Sequence, residues 1–401
     1  MTLSSPVQSS LGPIALAAGG TGGHLFPAQA LAQELARRGR SVVLMTDERV
    51  LKFETLFPGV PIYAVPAATF SGHGVGGKIK AGLAILSGTW QAYRLLGRLK
   101  PAAMIGFGGY PTMPPMLAAL VRRIPACVHE QNAVLGRVNR VVAPYVTAIA
   151  STFSEPRYLR GKDGAKLVVT GNPVRDAVVA QGTSVYRAPQ GDGPIRLLVF
   201  GGSQGARVLS DVVPSALTRL PEALRVRLQV VQQCRQEDID RVRQTYDAAD
   251  ISTEIASFFD DMPVRIAQAH LVIGRSGAST ISELSVIGRP SILVPLPHSL
   301  DNDQKANAAF LADAGAAWMI EQKDFTPDAV AGLIGELCGA PGKLETAAAA
   351  ARRQGRPHAV RDLADLVERL SAYSALPEEK IVASADEGGR GTLFVGLDGA
   401  L

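Results

Sequence analysis

The chemistry-bearing residues of this chain are gathered at four glycine-rich turns. Gly19-Gly20-Thr21-Gly22-Gly23-His24 follows the short apolar segment Ile14 to Ala18 and precedes Pro27, which is predicted to open a helix ending at Gly39. A strand, a glycine loop and a helix in that order converge backbone N–H groups and a helix N-terminus on something anionic. Similar junctions recur at Gly106 to Pro111, Gly201 to Ala206 and Gly274 to Thr280, so both halves carry turns of one design. Two nucleotide-fold domains facing one ligand is the architecture this predicts.

These loops are not the common nucleotide signatures. A dinucleotide fingerprint needs G-x-G-x-x-G, but the first loop runs Gly20, Gly22 and then Leu25, and the second runs Gly106, Gly108 and then Pro111. The stretch Gly72 to Lys78 spells G-x-x-x-x-G-K, yet Ile79 follows where a magnesium-binding Ser or Thr is required, which argues against a nucleoside triphosphatase.

The elements that must hold the turns are legible. Ile14 to Ala18, Ser41 to Met45, Ile62 to Val65, Ala102 to Ile105 and Ala126 to Val128 are short and nearly continuously apolar, the pattern of parallel strands buried on both faces. A helix is predicted over Pro27 to Arg38. Alternation restarts at Ile195 to Phe200 after a polar, Gly/Pro-containing stretch from Gln181 to Pro194 that reads as a linker. Further strands are predicted at Val226 to Val231, Leu271 to Ile273, Ser291 to Val294 and Ala316 to Ile320. The fold class is therefore α/β, with two Rossmann-like doubly wound parallel-sheet domains, over 12–180 and 195–372, and ligands bound in the cleft beyond the strands' carboxyl ends. The last segment, 373–401, reads as an extension.

At 401 residues, 47% apolar and 19% charged, the composition is that of a folded globular chain with room for two cores. Residues 1–180 hold 19 Lys+Arg against 8 Asp+Glu, a net +11, which leaves −6 for the rest of a chain whose total is +5. Such a basic first domain needs an anionic partner. Aromatic residues make up 5% and no basic run is interleaved with them, so an anionic membrane surface fits better than nucleic acid. Cys127, Cys234 and Cys338 have no metal-site spacing and read as reduced, structural thiols of a cytosolic protein. Neither a signal peptide nor an apolar run of about 18 residues is present, so the chain reads as neither secreted nor membrane-spanning.

Six segments, two of them within the glycine turns above, occur in order: His129-Glu130-Gln131-Asn132 with Gly136 and Asn139-Arg140; Gly171-Asn172-Pro173-Val174-Arg175; Gly201-Gly202-Ser203-Gln204-Gly205-Ala206; Arg275-Ser276-Gly277-Ala278; Pro297-His298; and Asp303-Gln304 with Asn307-Ala308. This set resembles the bacterial peptidoglycan N-acetylglucosaminyltransferases of glycosyltransferase family 28, over about residues 12–370. The resemblance implies a two-domain GT-B enzyme. It would move N-acetylglucosamine from UDP-N-acetylglucosamine, with inversion, onto the 4-hydroxyl of the N-acetylmuramoyl group of undecaprenyl-pyrophosphoryl-MurNAc-pentapeptide, lipid I, to give lipid II for the cell wall. No cofactor or metal is implied, and no D-x-D stands at a predicted strand end.

With no metal, N–H donors and positive charge must neutralise the departing UDP. The resemblance implies Arg175 and the Ser203 loop for this; Arg175 could otherwise be a surface charge after a turn. Glu283 is implied to accept both ribose hydroxyls, although an acid in the first turns of a helix also suits the helix dipole. Ala278, Ser279, Thr280, Ile281 and Ser282 are implied to line that pocket, and Phe259 to offer backbone to uracil while its ring joins the core. Asn132, Gln304 and Asp303 are implied sugar contacts; as alternatives, Asn132 could cap a helix and Gln304 could sit on a solvated face. His24 is the candidate base, since its ordinary pKa of about 6.5 suits the task; Glu130 could act instead, or set a histidine's tautomer. Thr21, Gly22 and Gly23 are implied to hold either the acceptor pyrophosphate or the donor sugar.

A lipid acceptor demands contact with the bilayer. Lys78, Lys80, Arg94, Arg98 and Lys100 flank Leu83, Ile85, Leu86 and Trp90, a basic-edged amphipathic segment suited to an anionic headgroup layer, which the resemblance puts on the cytoplasmic face of the inner membrane. The alternative is an ordinary core helix. Partners in a cell-wall synthesis complex also fit this role. The rival readings are another GT-B transferase, a UDP-N-acetylglucosamine 2-epimerase, or a nucleotide-sugar-binding scaffold.

Overall fold

Each apolar run that the sequence marks is a strand of one of two parallel sheets. A computed structural model of the chain describes residues 12–20, 22–48, 55–67, 74–202 and 205–373. The first sheet contains β1 (Ile14–Ala17), β2 (Val42–Thr46), β3 (Ile62–Ala64), β4 (Ala103–Gly106), β5 (Ala126–Glu130), β6 (Ala148–Ser151) and β7 (Leu167–Val169), in the order β3-β2-β1-β4-β5-β6-β7. The second contains β8 (Ile195–Phe200), β9 (Leu228–Gln233), β10 (Ser252–Ala256), β11 (Leu271–Gly274), β12 (Ser291–Leu293) and β13 (Ala317–Met319), in the order β10-β9-β8-β11-β12-β13. Ile14 lies in register with both Val42 and Ala103, so β1 is paired on both edges. Strand order reverses between β1 and β4 and again between β8 and β11. At such a switch point the flanking loops diverge and leave a crevice for ligands.

The strands read as continuous apolar runs because each serves two cores. Ile14 and Leu16 pack with Leu31 and Leu35 on one face of the first sheet, while Ala15 and Ala17 pack with Met104 and Met116 on the other. In the second, Ile195, Leu197 and Val199 face Leu209 and Tyr246, and Leu198 and Phe200 face Ile281 and Leu284. Three strands were not anticipated. β10 is largely polar and partly exposed at a sheet edge, β7 is a three-residue edge strand, and β6 is only four residues long. Short or edge strands carry too little periodic signal to stand out.

The chain divides into two compact units: the first runs to Gln131, takes in Leu135–Pro173 and resumes at His358, and the second comprises Asn132–Val134 and Val174–Pro357. This differs from the division at 180, 195 and 372 expected from composition. The helix Ala359–Tyr373 counts with the first unit because Leu363, Ala364, Leu366, Val367 and Leu370 are buried against the first core. Arg38 fixes it by bonding Asp365 at 2.5 Å and Glu368 at 2.7 Å. The stretch expected as a linker is tied to the second unit: Arg352 donates to the carbonyls of Gly182 and Ser184, Arg289 to the Ser184 hydroxyl, and Tyr186 to the His270 carbonyl. The 374–401 extension lies outside the described residues.

Candidate active site

The first unit carries His24 at the carboxyl end of β1, on a helix that spans Gly22–Arg37. That helix begins five residues before Pro27, the residue expected to open it, because the glycines wind into its first turn. Gly22 and Gly23 thereby stand at the start of the helix, where N–H groups face outward along its axis. Thr21 lies outside the described residues. His24 Nδ1 stands 3.2 Å from the Gly19 carbonyl. A carbonyl only accepts, so Nδ1 carries the proton in the neutral ring and Nε2 carries the lone pair. The ring is half-buried against the second glycine turn. Added Cβ atoms at Gly108 and Gly109 would lie 3.4 Å from Nε2 and 3.3 Å from Nδ1, and both glycines are left-handed, at φ +88° and +77°. No other residue type suits either position.

Glu130 is buried at the end of β5. Its Oε2 accepts from the Gly136 amide at 2.7 Å and from Asn139 Nδ2 at 2.9 Å, so it pins the turn that follows β5. His129 is wholly buried: Nε2 donates to the Gly171 carbonyl at 2.9 Å, and Nδ1 accepts from Gln131 Nε2 at 2.9 Å. Gln131 also donates to the Phe107 carbonyl at 3.0 Å. Burial, with a smaller push from His24, brings the His129 pKa down to about 4, so this imidazole is neutral. His129, Gln131 and Asn139 form a frame for the rim; the polar His129 and Gln131 on and just after an apolar strand are its signal in the sequence.

In the second unit, Arg175 precedes the helix Asp176–Gln181 and its Nη2 lies 3.5 Å from Glu283 Oε1. Burial pushes the Glu283 carboxyl up and the Arg175 charge opposes it. Glu283 projects from the helix Ala278–Ile287, whose N-terminus follows Gly277 beyond β11. Along that helix Ile281 is packed in the core, and the Ser282 hydroxyl donates to the Ala278 carbonyl at 2.8 Å. The Ile281 amide already donates to the Gly277 carbonyl at 3.0 Å, so the N–H groups at the helix start are those of Ala278, Ser279 and Thr280. The Phe259 ring is buried under the Arg265 guanidinium at 4.1 Å, as a core ring would be. Ser203 lies outside the described residues.

The sugar-contact candidates of this unit are hydrogen-bonded to its own loops. Gln304 Oε1 accepts from the Leu296 amide at 3.0 Å, and Asp303 Oδ1 from the Gln304 amide at 2.6 Å, which leaves the Gln304 side chain its NH₂ group to donate. Asn132 Oδ1 accepts from Asn307 Nδ2 at 3.0 Å, and Asn307 Oδ1 accepts from the Ala133 amide at 2.8 Å. Asn307 also donates to the Ser276 carbonyl at 3.1 Å. Arg275 is buried and donates to the carbonyls of Val294 and Pro295 and to Gln322 Oε1. Asn307 and Arg275, both within the ordered segments of the sequence, brace the loops that carry Gln304 and Glu283.

The basic-edged segment forms the helix Gly74–Leu99 of the first unit. Ala81, Gly88, Ala92 and Leu96 are its buried face, and Gly88 approaches the Pro66 carbonyl too closely for any Cβ. Leu83, Leu86 and Trp90 remain 62%, 67% and 61% exposed. Ile85 is half-buried, Lys80, Arg94, Arg98 and Lys100 are exposed, and the Lys78 side chain lies outside those described. No described helix is long and apolar enough to cross a membrane, and no group of three His, Cys, Asp or Glu among the described residues could hold a metal ion.

Two family models match the chain: the glycosyltransferase family 28 N-terminal domain over residues 14–151 and the C-terminal domain over 196–367. The UDP-N-acetylglucosamine–N-acetylmuramyl-(pentapeptide) pyrophosphoryl-undecaprenol N-acetylglucosamine transferase of Chelativorans sp. (strain BNC1) is 51% identical over 375 residues, covering 93% of this chain and 99% of that protein. Its namesake from Methylobacterium sp. (strain 4-46) is 53% identical over 368 residues, 92% of this chain and 97% of its own. Among solved structures, MurG of Acinetobacter baumannii superposes with a TM-score of 0.73 at 32% identity, over 89% of this chain and 98% of that one.

Proposed function

The chain belongs to glycosyltransferase family 28, and from that premise we propose how its residues divide the work. It has the GT-B fold and transfers N-acetylglucosamine from UDP-N-acetylglucosamine, with inversion, to the 4-hydroxyl of the N-acetylmuramoyl group of lipid I, making lipid II for peptidoglycan. The first unit handles the acceptor and the second the UDP-sugar.

The orientation of His24 is the observation that carries this division. With Nδ1 committed to the Gly19 carbonyl, Nε2 takes the proton from the acceptor 4-hydroxyl. That oxygen bonds to the anomeric carbon as the bond from the anomeric carbon to the β-phosphate oxygen breaks, and UDP leaves with the electron pair. Gly22 and Gly23, with Thr21, offer N–H groups to the acceptor pyrophosphate. Glu130 positions the turn after β5 through an Oε2 that accepts two N–H donors, and the base is His24.

Glu283 accepts the ribose hydroxyls, Arg175 and the Ser203 loop face the diphosphate, and the start of the helix Ala278–Ile287 adds its N–H groups and positive dipole end. The Phe259 backbone meets uracil. Asn132, Asp303 and Gln304 read the sugar hydroxyls. No metal takes part. Leu83, Ile85, Leu86 and Trp90, ringed by Lys78, Lys80 and Arg94, rest in the headgroup layer at the cytoplasmic face of the inner membrane, and partners of a cell-wall synthesis complex meet the enzyme there.

Release of UDP from UDP-N-acetylglucosamine, measured with and without a lipid I analogue and with a chelator present, tests the reading. Release that requires the analogue and ignores the chelator is expected. Conversion of the donor without acceptor would point to an epimerase instead, and loss of release on chelation would end the metal-free mechanism.

A further inference from the structure

Tyr158 stands in the loop between β6 and β7 with φ +67°, a conformation that costs a bulky residue free energy, and its ring is 53% exposed. Two cations converge on that ring. The Arg140 guanidinium lies 3.9 Å from its centroid and that of Arg157 lies 5.8 Å away. Arg140 is held in place by its Nε, which donates to the Leu135 carbonyl at 2.5 Å. Beyond the ring, Arg157, Arg160 and Lys162 are exposed, and none of the three forms an ion pair among the described residues. The loop 152–166 holds four Lys and Arg against two acids, and Arg140 joins it over the Tyr158 ring, so this corner is positive. An exposed, strained aromatic that gathers guanidinium groups is arranged for a ligand rather than for stability.

The patch is linked to the rim of the first unit through a chain of contacts. The Leu135 amide donates to the Arg157 carbonyl at 3.0 Å, and the next amide, that of Gly136, donates to Glu130. Asn139, also on Glu130, lies against Gly108, which lies against His24 Nε2. In N-acetylmuramic acid the carbon that bears the lactyl ether, where the peptide stem begins, is next to the carbon that bears the 4-hydroxyl. Five extended residues reach about 17 Å from there, and any peptide ends in a carboxylate.

We propose that Arg140, Arg157, Tyr158 and Arg160 form a subsite for the anionic peptide stem of the acceptor, with the guanidinium groups receiving its terminal carboxylate. The inference rests on the transferase reading above. Guanidinium forks pair with carboxylates in two parallel hydrogen bonds, and stacking on an aromatic ring fixes the plane of the fork.

The test is acceptor kinetics of the full chain in detergent with two lipid I analogues, one bearing the pentapeptide and one cut back to the lactyl group. In Arg157→Gln/Arg160→Gln, KM for the pentapeptide analogue should rise roughly tenfold while KM for the stemless one stays at the wild-type value. Wild type should show the same rise when the stem ends in a carboxamide. Tyr158→Gly, which suits the left-handed backbone while removing the ring, should reproduce the split. Equal effects on both analogues would overturn the subsite. So would an unchanged pentapeptide KM accompanied by lost binding to anionic phosphatidylglycerol vesicles, which would make the patch a membrane contact. Wild type that turns over neither analogue would instead contradict the transferase reading itself.

Discussion

The two units place their loops at the same point of the same fold and furnish them with different shares of glycine and side chain. In the first, the rim is mostly backbone: Gly20, Gly108 and Gly109 are left-handed, and one half-buried histidine stands among them. In the second, left-handed Gly202 and Gly205 are joined by more side chains, with Arg175 beside Glu283, Arg275 spanning to Gln322, and Asn307 bonded to Asn132. Bare N–H groups suit a diphosphate, and braced side chains suit a group that must be recognised by its hydroxyls. Doubly wound topology fixes where a ligand can bind, and the residue types on the loops decide which ligand.

The contrast can be broken most sharply at His24. His24→Ala should lower turnover by about 10²- to 10⁴-fold, the usual contribution of a general base, as read in acceptor-dependent UDP release. Next in size, Glu283→Ala should raise the donor KM about ten- to a hundredfold, the worth of one or two charge-assisted hydrogen bonds, and change the acceptor KM little.

Acid should act on the first unit through His129. Its folded pKa is about 4 against an ordinary 6.5, so below 6.5 the unfolded chain takes up a proton that the folded one refuses. Stability present at neutral pH is thus lost as pH falls from about 6.5 to about 4, by up to about 3 kcal/mol. Denaturant midpoints at both ends of that window should show the loss in wild type and a smaller one in His129→Gln. His270 of the second unit is also pushed down to about 4, by burial and by Arg196 and Arg289, but it is only half-buried and should contribute less.

A paired glycine exchange makes the smallest and cleanest comparison. Gly108→Ala forces a side chain into a left-handed backbone beside His24 and should cost about 1–2 kcal/mol along with some turnover. Gly277→Ala, at φ −64° with open space around its added Cβ, should leave the melting temperature nearly unchanged.

Much of the fold was legible because strands buried on both faces cannot afford polar residues, so β1, β4 and β8 stand out as apolar runs. The edge strand β10, reading Ser-Thr-Glu-Ile-Ala, has water on part of its surface and loses that signature. The start of the helix Gly22–Arg37 was misplaced because Pro27 favours a helix N-terminus locally, while glycines, poor helix formers by propensity, were free to extend the helix backwards. Within the site, glycine turns announced themselves, but partnerships across the fold did not. Nothing near His129 in sequence reveals that it will bond Gly171, and nothing near Arg38 reveals the Asp365 and Glu368 that return the last described helix to the first unit. Nothing near Glu130 in sequence reveals the two N–H donors, from Gly136 and Asn139, that its Oε2 accepts.

Equilibrium titration of UDP-N-acetylglucosamine, without acceptor, into wild type, His24→Ala and Glu283→Ala tests the division of labour most directly. The account predicts one Kd for wild type and His24→Ala, and binding weakened about tenfold or more in Glu283→Ala. Weakening confined to His24→Ala, or equal in the two variants, would contradict it.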